Sequence, residues 1–406
     1  MAMGAKVNRR TFLKAAGGAV AAGLLPGAVR AQARPVRIGF SLAFTGPNAV
    51  GASITQASNY ALWIEQVNAR GGLLVAGEGR RPIQYLQNDD RSEMETTVRL
   101  YEKLITEDKV DLLLPPWGTA WNFAVAPIAS KHGYPLIGST VQSTKLNDLK
   151  LPYFYAILAQ ADAMMGSLTA FLQEVRREKK FNKVAVIHVA DLFGLEQQGV
   201  LLPLLKEAAF DIVEVKSYPY GVKDLSDTLK SIKAKGAEIF IGLTYPPDTI
   251  LATSQAKALD FNPPVFYTAV GTAFPFFRER LKASTEGVLG MGAWNPKVPY
   301  PGAKAYFDAH VASQKKEPDR FASAFGWAAL QILEEAVGKV GLDRAKIKAY
   351  LDSTEFTTVV GPVKFVQGLN RATPGMVGQW QKGEFEVVWP RERATATAIV
   401  PKPNWQ

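Results

Sequence analysis

The sequence predicts an α/β protein built from two successive, similar units with parallel sheets. Three observations point there. Near-continuous apolar β-type runs alternate with longer helical patterns, as strands buried on both faces require. The alternation then restarts midway in comparable order. Finally, a late helical block is followed by short strands, as if the chain crosses back to the first unit and then to the second again.

In order, "VRIGFSLA" (Val36 to Ala43) is a strand. It precedes "ITQASNYALWIEQVNAR", whose Ala57, Tyr60, Ala61, Ile64 and Val67 share one helical face. "PIQYLQND" feeds the helical "EMETTVRLYEKLITED", "VDLLLP" feeds "TAWNFAVAPIASKHG", and "YPLIG" closes the first series. The connection lies in "LKLPYFYAIL", Leu149 to Leu158. The second series pairs "KVAVIHVA" with "LEQQGVLLPLLKEAAF", "DIVEVKSY" with "LSDTLKSIKAKG", and "AEIFIGLT" with "TILATSQAKAL", and ends with "PPVFYTAV" and a short irregular piece. Helices return in "AKAYFDAHVASQ", "RFASAFGWAALQILEEAVGKV" and "RAKIKAYLD", before the strands "TTVVGPVKFV", "GMVGQWQKG" and "FEVVWP".

The N-terminus stands apart from this pattern. "NRRTFLK" is followed by an Ala/Gly-rich apolar run and "AQA", Ala31 to Ala33, which together make a secretory signal over residues 1–33. Its adjacent arginines mark the twin-arginine type. Cleavage removes five basic side chains and no acid, so the formal net charge of +10 falls to +5. Much of the basicity is therefore targeting, and a nucleic-acid partner is not expected. The mature chain is expected to be free and soluble in the periplasm, since no later segment is long and apolar enough to span a bilayer.

The sequence has no cysteine, which excludes disulfides, thiolate metal sites and cysteine nucleophiles. Its three histidines, His132, His188 and His310, lie far apart, and no nucleophile elbow or phosphate-cradling glycine motif occurs. The chain therefore reads as a binder and not an enzyme, with no cofactor and no metal. "NDD" (Asn88 to Asp90) reads as a loop brace. Asp191 and Asp248 precede helices, and could cap them or meet a positive charge on a ligand.

Strand-to-helix corners carry the functional signal, because ligands of open α/β sheets bind beyond the carboxyl ends of the strands. In "PPWGTAWNF", the start of a helix leaves the amides of Gly118, Thr119 and Ala120 unpaired, with the helix dipole pointing outward, a setting suited to a carboxylate. The next strand end, "GSTVQS", adds Ser139, Thr140, Val141 and Gln142. The competing reading makes Thr119 and Ser139 only cap and turn residues.

The ordered series "RIGFSLAFTGPNAVG", "EQVNARGGL", "QNDDRSEMETTVRLYEKLI", "KHGYPLIGST", "VAVIHVADLFG", "KAKGAEIFIG" and "VVGPVKF" resembles the type I periplasmic solute-binding proteins of ABC importers, of the leucine/isoleucine/valine-binding family. The resemblance implies two Rossmann-like lobes joined by three hinge crossovers, 34–156 with 292–372 and 157–291 with 373–406, closing on a ligand in the cleft. It also implies a permease and an ATPase as partners. By the same resemblance, Thr119, Thr140 and Gln142 would hold a carboxylate, and Phe193 and Tyr245 would cover the ligand. Val270 would stand where amino-acid binders place the glutamate that receives the ammonium group. A buried ammonium without an acceptor loses several kcal/mol. The expected ligand is therefore an organic acid, aromatic if Trp117, Trp121, Phe44 and Phe193 line the cleft. Trp117 is expected to touch it and Trp121 only to pack. An amino acid whose ammonium meets Asp191 is the alternative, and a ligand-sensing receptor or a periplasmic hydrolase are remoter ones.

Overall fold

The computed structural model describes residues 34–143, 145, 148–292 and 294–406; the signal peptide lies outside them. The first strand, β1 (Val36–Leu42), leads into α1 (Ala49–Ala52), which passes through a π-helical turn (Ser53–Ala57) into α2 (Ser58–Ala69). A small hairpin, β2 (Leu73–Val75) and β3 (Gly79–Arg81), precedes β4 (Ile83–Asp89), α3 (Met94–Thr106), β5 (Leu112–Leu113), α4 (Thr119–Lys131), β6 (Leu136–Gly138) and β7 (Phe154–Ala156).

The second series runs α5 (Ala161–Lys179), β8 (Lys183–Val189), α6 (Leu192–Glu207), β9 (Asp211–Tyr218), α7 (Ser226–Ala234), β10 (Ile239–Leu243), α8 (Pro246–Ala258), β11 (Val265–Thr268), α9 (Pro275–Leu281) and β12 (Leu289–Met291). The piece after β11, expected to be irregular, contains α9, started by Pro275 at its first helical position. The chain ends with α10 (Ala303–Gln314), α11 (Ser323–Val340), α12 (Arg344–Ser353), β13 (Glu355–Thr358), β14 (Gly361–Val366), β15 (Leu369–Asn370), β16 (Val377–Gln381) and β17 (Glu384–Trp389).

Among the described residues the strands form two larger assemblies. In the second half a seven-stranded sheet runs β17-β16-β12-β11-β10-β8-β9, parallel from β12 to β9, with β16 and β17 added antiparallel. Its central strands are buried on both faces: Val184, Val186, Ile239, Phe240, Ile241, Val265 and Phe266 are fully enclosed. Each such side chain contributes roughly 1.5–3 kcal/mol of burial, which explains why these runs are uniformly apolar instead of alternating.

The first half departs from a single parallel sheet. A three-stranded parallel sheet, β4-β1-β5, stands apart from a five-stranded mixed one, β13-β14-β15-β7-β6. The cause lies in Pro115 and Pro116 directly after β5. Neither has an N–H to donate to a neighbouring strand, so the ladder cannot extend toward β6.

The late helices return to the first half through polar contacts to α2. Tyr306 on α10 donates to Asn59 Oδ1 at 2.9 Å, Asn59 donates to the Ser323 carbonyl at 3.0 Å, and Trp63 Nε1 reaches Glu334 on α11 at 2.9 Å. Covered on several sides, α2 buries Asn59, Tyr60, Leu62, Trp63, Ile64 and Val67. No helix among the described residues is long and apolar enough to cross a membrane.

Candidate functional site

The parallel strands of both halves end toward one region, where loops after β5, β6, β8, β9, β10 and β11 converge. Contacts cross it between the halves. The Trp117 and Tyr245 rings lie 5.6 Å apart and the Trp121 and Tyr220 rings 6.3 Å apart. Tyr220 donates to Asn48 Oδ1 at 2.6 Å, and Lys145 Nζ meets Glu196 at 3.0 Å.

The corner before α4 is shaped by two glycines. Gly118 has φ 95° and caps the helix, and a Cβ there would stand 3.2 Å from the Trp121 ring. On α1, a Cβ at Gly51 would fall 2.3 Å from Trp117 Cζ2, so the indole can seat only against a residue without a side chain. Trp117 and Trp121 are both almost fully buried, yet neither Nε1 has a hydrogen-bond partner among the described residues. Buried indole N–H groups are normally paired. Trp121, expected only to pack, thus shares with Trp117 a buried indole N–H without a partner among the described residues.

The expected anion corner is partly committed to the protein itself. The Gly118 amide, expected to be free, donates to Thr140 Oγ1 at 3.0 Å, and the Gln142 amide donates to Thr119 Oγ1 at 3.3 Å. Each hydroxyl thus accepts one bond and keeps its own proton to give. The amides of Thr119, Ala120 and Trp121 open α4, where no intrahelical acceptor exists; the first bond within the turn is Asn122 N–H to the Gly118 carbonyl at 3.1 Å.

Ser139, Val141 and Gln142 are each engaged within the protein. Ser139 is fully buried and its Oγ accepts from Gln56 at 3.4 Å. Val141 packs in a core cluster with Val125 and Phe154. Gln142 donates through Nε2 to the Ala159 carbonyl at 2.8 Å. Thr140 meets the Gly118 amide that caps α4, Val141 joins the cluster that holds Val125 of α4, and Ser139 meets Gln56 of the π-helical turn.

The second half supplies an aromatic wall over carboxylates. Phe193 stacks on Tyr245 at 5.1 Å, and Tyr220 meets Tyr245 edge-on at 6.1 Å. Asp191 caps α6 by accepting from the Gly194 amide at 3.0 Å and also accepts from Tyr245 Oη at 2.8 Å. Burial raises its pKa, against the lowering effect of those two donors. Asp248 accepts from Tyr218 Oη at 3.2 Å and from the Tyr245 amide at 3.4 Å; burial pushes it to about 6. Gly194 must be glycine because a Cβ would meet the Val189 carbonyl oxygen at 1.9 Å. Val270 is buried beyond β11, its amide donating to the Thr244 carbonyl and its own carbonyl accepting from Thr249 Oγ1.

In the first half, Asp89 braces the loop by accepting from the Phe44, Thr45 and Arg91 amides, and Asp90 from that of Ser92. Phe44 is only half-buried and packs against the main core. His188 and His310 make local bonds to the Val189 and Lys316 carbonyls. No cluster of metal-ligating side chains occurs among the described residues.

Sequence reasoning missed Tyr220, Asn48 and Gln197. "SYPYG" after β9 places aromatics on both sides of a proline, a signal that could have marked Tyr220. Gln197 lies one helical turn beyond Phe193 on α6, fully buried, and both amide atoms lack a partner among the described residues.

Comparison with known proteins agrees with this architecture. The family model for periplasmic binding proteins matches residues 35–384, and the twin-arginine signal model matches residues 6–26. Leu/Ile/Val-binding protein homolog 7 of Brucella suis is 24% identical over 398 residues, covering 94% of this chain and 98% of its own. Homolog 8 of Brucella abortus is 21% identical, covering 82% and 86%. Among solved structures, the branched-chain amino acid binding protein LivJ of Streptococcus pneumoniae, in complex with isoleucine, superposes with a TM-score of 0.76 at 20% identity, covering 88% of this chain and all of that one. A solute-binding protein of R. palustris in complex with benzoate superposes with 0.76 at 18%, covering 90% and 98%. The chain belongs to the periplasmic binding protein family and carries a twin-arginine signal that directs it to the periplasm.

Proposed function

We propose that the mature chain captures a small carboxylate-bearing solute, an aromatic or other organic acid, and delivers it to the permease and ATPase of an ABC importer. The lobes would be 34–156 with 292–372 and 157–291 with 373–406. The carrying observation is the pair of buried indole N–H groups, of Trp117 just before α4 and Trp121 in its first turn, that have no partner among the described residues. Two indole donors, the hydroxyl protons of Thr119 and Thr140 and the first-turn amides of α4 form a donor set, and the rings of Phe193, Tyr220 and Tyr245 face it. Donors and a helix N-terminus suit a carboxylate, and the rings suit a flat apolar body. No bond is made or broken in this role. The ligand shifts the equilibrium toward closure only by binding the closed arrangement more tightly than the open one.

A specific observation favours a second reading, a branched-chain or other amino acid. Asp191 is a half-buried carboxylate beside Tyr245, and an ammonium group could be its third partner. The related folds carry both ligand classes, isoleucine in one and benzoate in another. Calorimetric titration of the ligand-free mature chain with leucine, phenylalanine and a panel of aromatic carboxylates separates the readings. The acid reading expects saturable binding of at least one carboxylate that lacks an amine. Tight leucine binding with no response to the acids overturns it.

A further inference from the structure

A well-defined concavity lies away from the residues of the cleft named above. It is a cavity of about 750 Å³ between α9, the end of α10 with the segment following it, and the β16–β17 turn. That is within the size range of small-molecule sites. Six cationic side chains and four carboxylates line it.

The carboxylates are engaged. Glu317 pairs with Arg320 at 2.8 Å, Glu384 approaches the same guanidinium at 3.9 Å, Glu279 meets Lys316 at 4.0 Å, and Glu286 accepts from the Lys382 amide at 2.8 Å. The cations are not equally matched. Among the described residues, Arg278, Lys282, Lys315 and Lys382 have no carboxylate within 4.0 Å of their charged nitrogens.

Two guanidiniums stand at its walls, one exposed and one buried. Arg278 lies flat against Gly383, where φ is +83° and a Cβ would fall 2.3 Å from Nη2, so the turn is built to admit it. Arg320 is 4% exposed and lies over the Phe307 ring at 5.0 Å, and its Nη1 has no hydrogen-bond partner among the described residues. A buried guanidinium nitrogen without an acceptor is costly, and one in the wall of a cation-rich cavity suits an anion.

We propose that this cavity is a second binding site, for a small anion carrying two or more negative charges, a polycarboxylate or a phosphate, held between Arg278 and the lysines with Arg320 at its wall. Its walls join both halves of the molecule. The Arg320 amide donates to the Ala273 carbonyl of the second half at 3.0 Å, whereas α10 packs on α2 of the first. An anion bound there ties α9 to the segment after α10. The site stands whichever ligand the cleft takes.

The test is calorimetric titration of the mature chain with citrate and, separately, with inorganic phosphate, at an ionic strength fixed with sodium chloride. One saturating site is expected for at least one of them. Arg278→Glu, at an exposed position, is expected to weaken binding tenfold or more with an unchanged unfolding temperature, and Lys382→Glu to weaken it in the same direction. Lys179→Glu, outside the cavity, should bind as the unaltered protein does. Absence of saturable binding of either anion overturns the proposal, and so does unchanged affinity in both Arg278→Glu and Lys382→Glu.

Discussion

Trp117→Phe is the most informative single change, because stability and affinity should respond differently to it. In the free protein Trp117 Nε1 has no acceptor among the described residues, so removing it costs the fold no hydrogen bond and relieves a desolvation penalty of about 1–3 kcal/mol. The smaller ring leaves a partial void beside Gly51 and Tyr245, with a cost on the order of 1–2 kcal/mol. The two effects oppose each other, and the net change in stability should be within about 1 kcal/mol of zero. Bound to a carboxylate, the same N–H makes a charge-assisted bond worth about 1.5–3 kcal/mol. Its loss should weaken binding between about tenfold and 150-fold. Chemical denaturation and calorimetric titration with the best-binding acid read the two quantities independently. A strongly destabilised variant with unchanged affinity would show that the indole serves packing alone, and would refute the role given to its N–H.

Other changes test the surrounding geometry. Gly51→Ala places a Cβ 2.3 Å from Trp117 Cζ2, and overpacking of this kind should cost about 1–3 kcal/mol and displace the indole; unaltered thermal unfolding and affinity contradict the contact. Thr119→Ala removes a hydroxyl proton offered to the ligand and should weaken carboxylate binding by about 1–3 kcal/mol, whereas unchanged affinity places the anion elsewhere. Asp248, raised to about 6 by burial, ionises in the native state at a cost that the unfolded chain does not bear. The native state binds more protons between its ordinary carboxylate pKa and 6, so its contribution to stability increases as pH falls through that window and is lost as pH rises through it. Asp90 is also raised to about 6 and adds a change of the same sign. Asp248→Asn should remove at most about 3 kcal/mol of this pH dependence, and an identical stability profile between pH 4 and 7 contradicts the assignment.

Strand and helix order was legible because the buried parallel strands read as continuous apolar runs, and "AKAYFDAHVASQ" coincides with α10. The split of the first-half strands was less visible, since it depends on Pro115 and Pro116 halting a ladder whose partner strand lies some twenty residues later. At the site, Trp117, expected from its strand end, and Phe193 and Tyr245, expected from the family resemblance, lie together around the Tyr245 ring. Side-chain direction was not legible in the same way. Ser139, Thr140 and Val141 are neighbours in sequence, yet Ser139 meets Gln56, Thr140 the Gly118 amide and Val141 the apolar cluster around Val125, because the chain bends after β6. Tyr220 and Asn48 escaped notice because their hydrogen bond joins residues 172 positions apart, each in a loop. No local pattern records such a meeting.

The most direct test is a crystal structure of the mature chain with the tightest-binding aromatic carboxylate. The account predicts carboxylate oxygens within hydrogen-bond distance of Trp117 Nε1 and Thr119 Oγ1, with the ring of the acid against Tyr245. A ligand whose charged group instead turns to Asp191, with both indole N–H groups left unpaired, would contradict it.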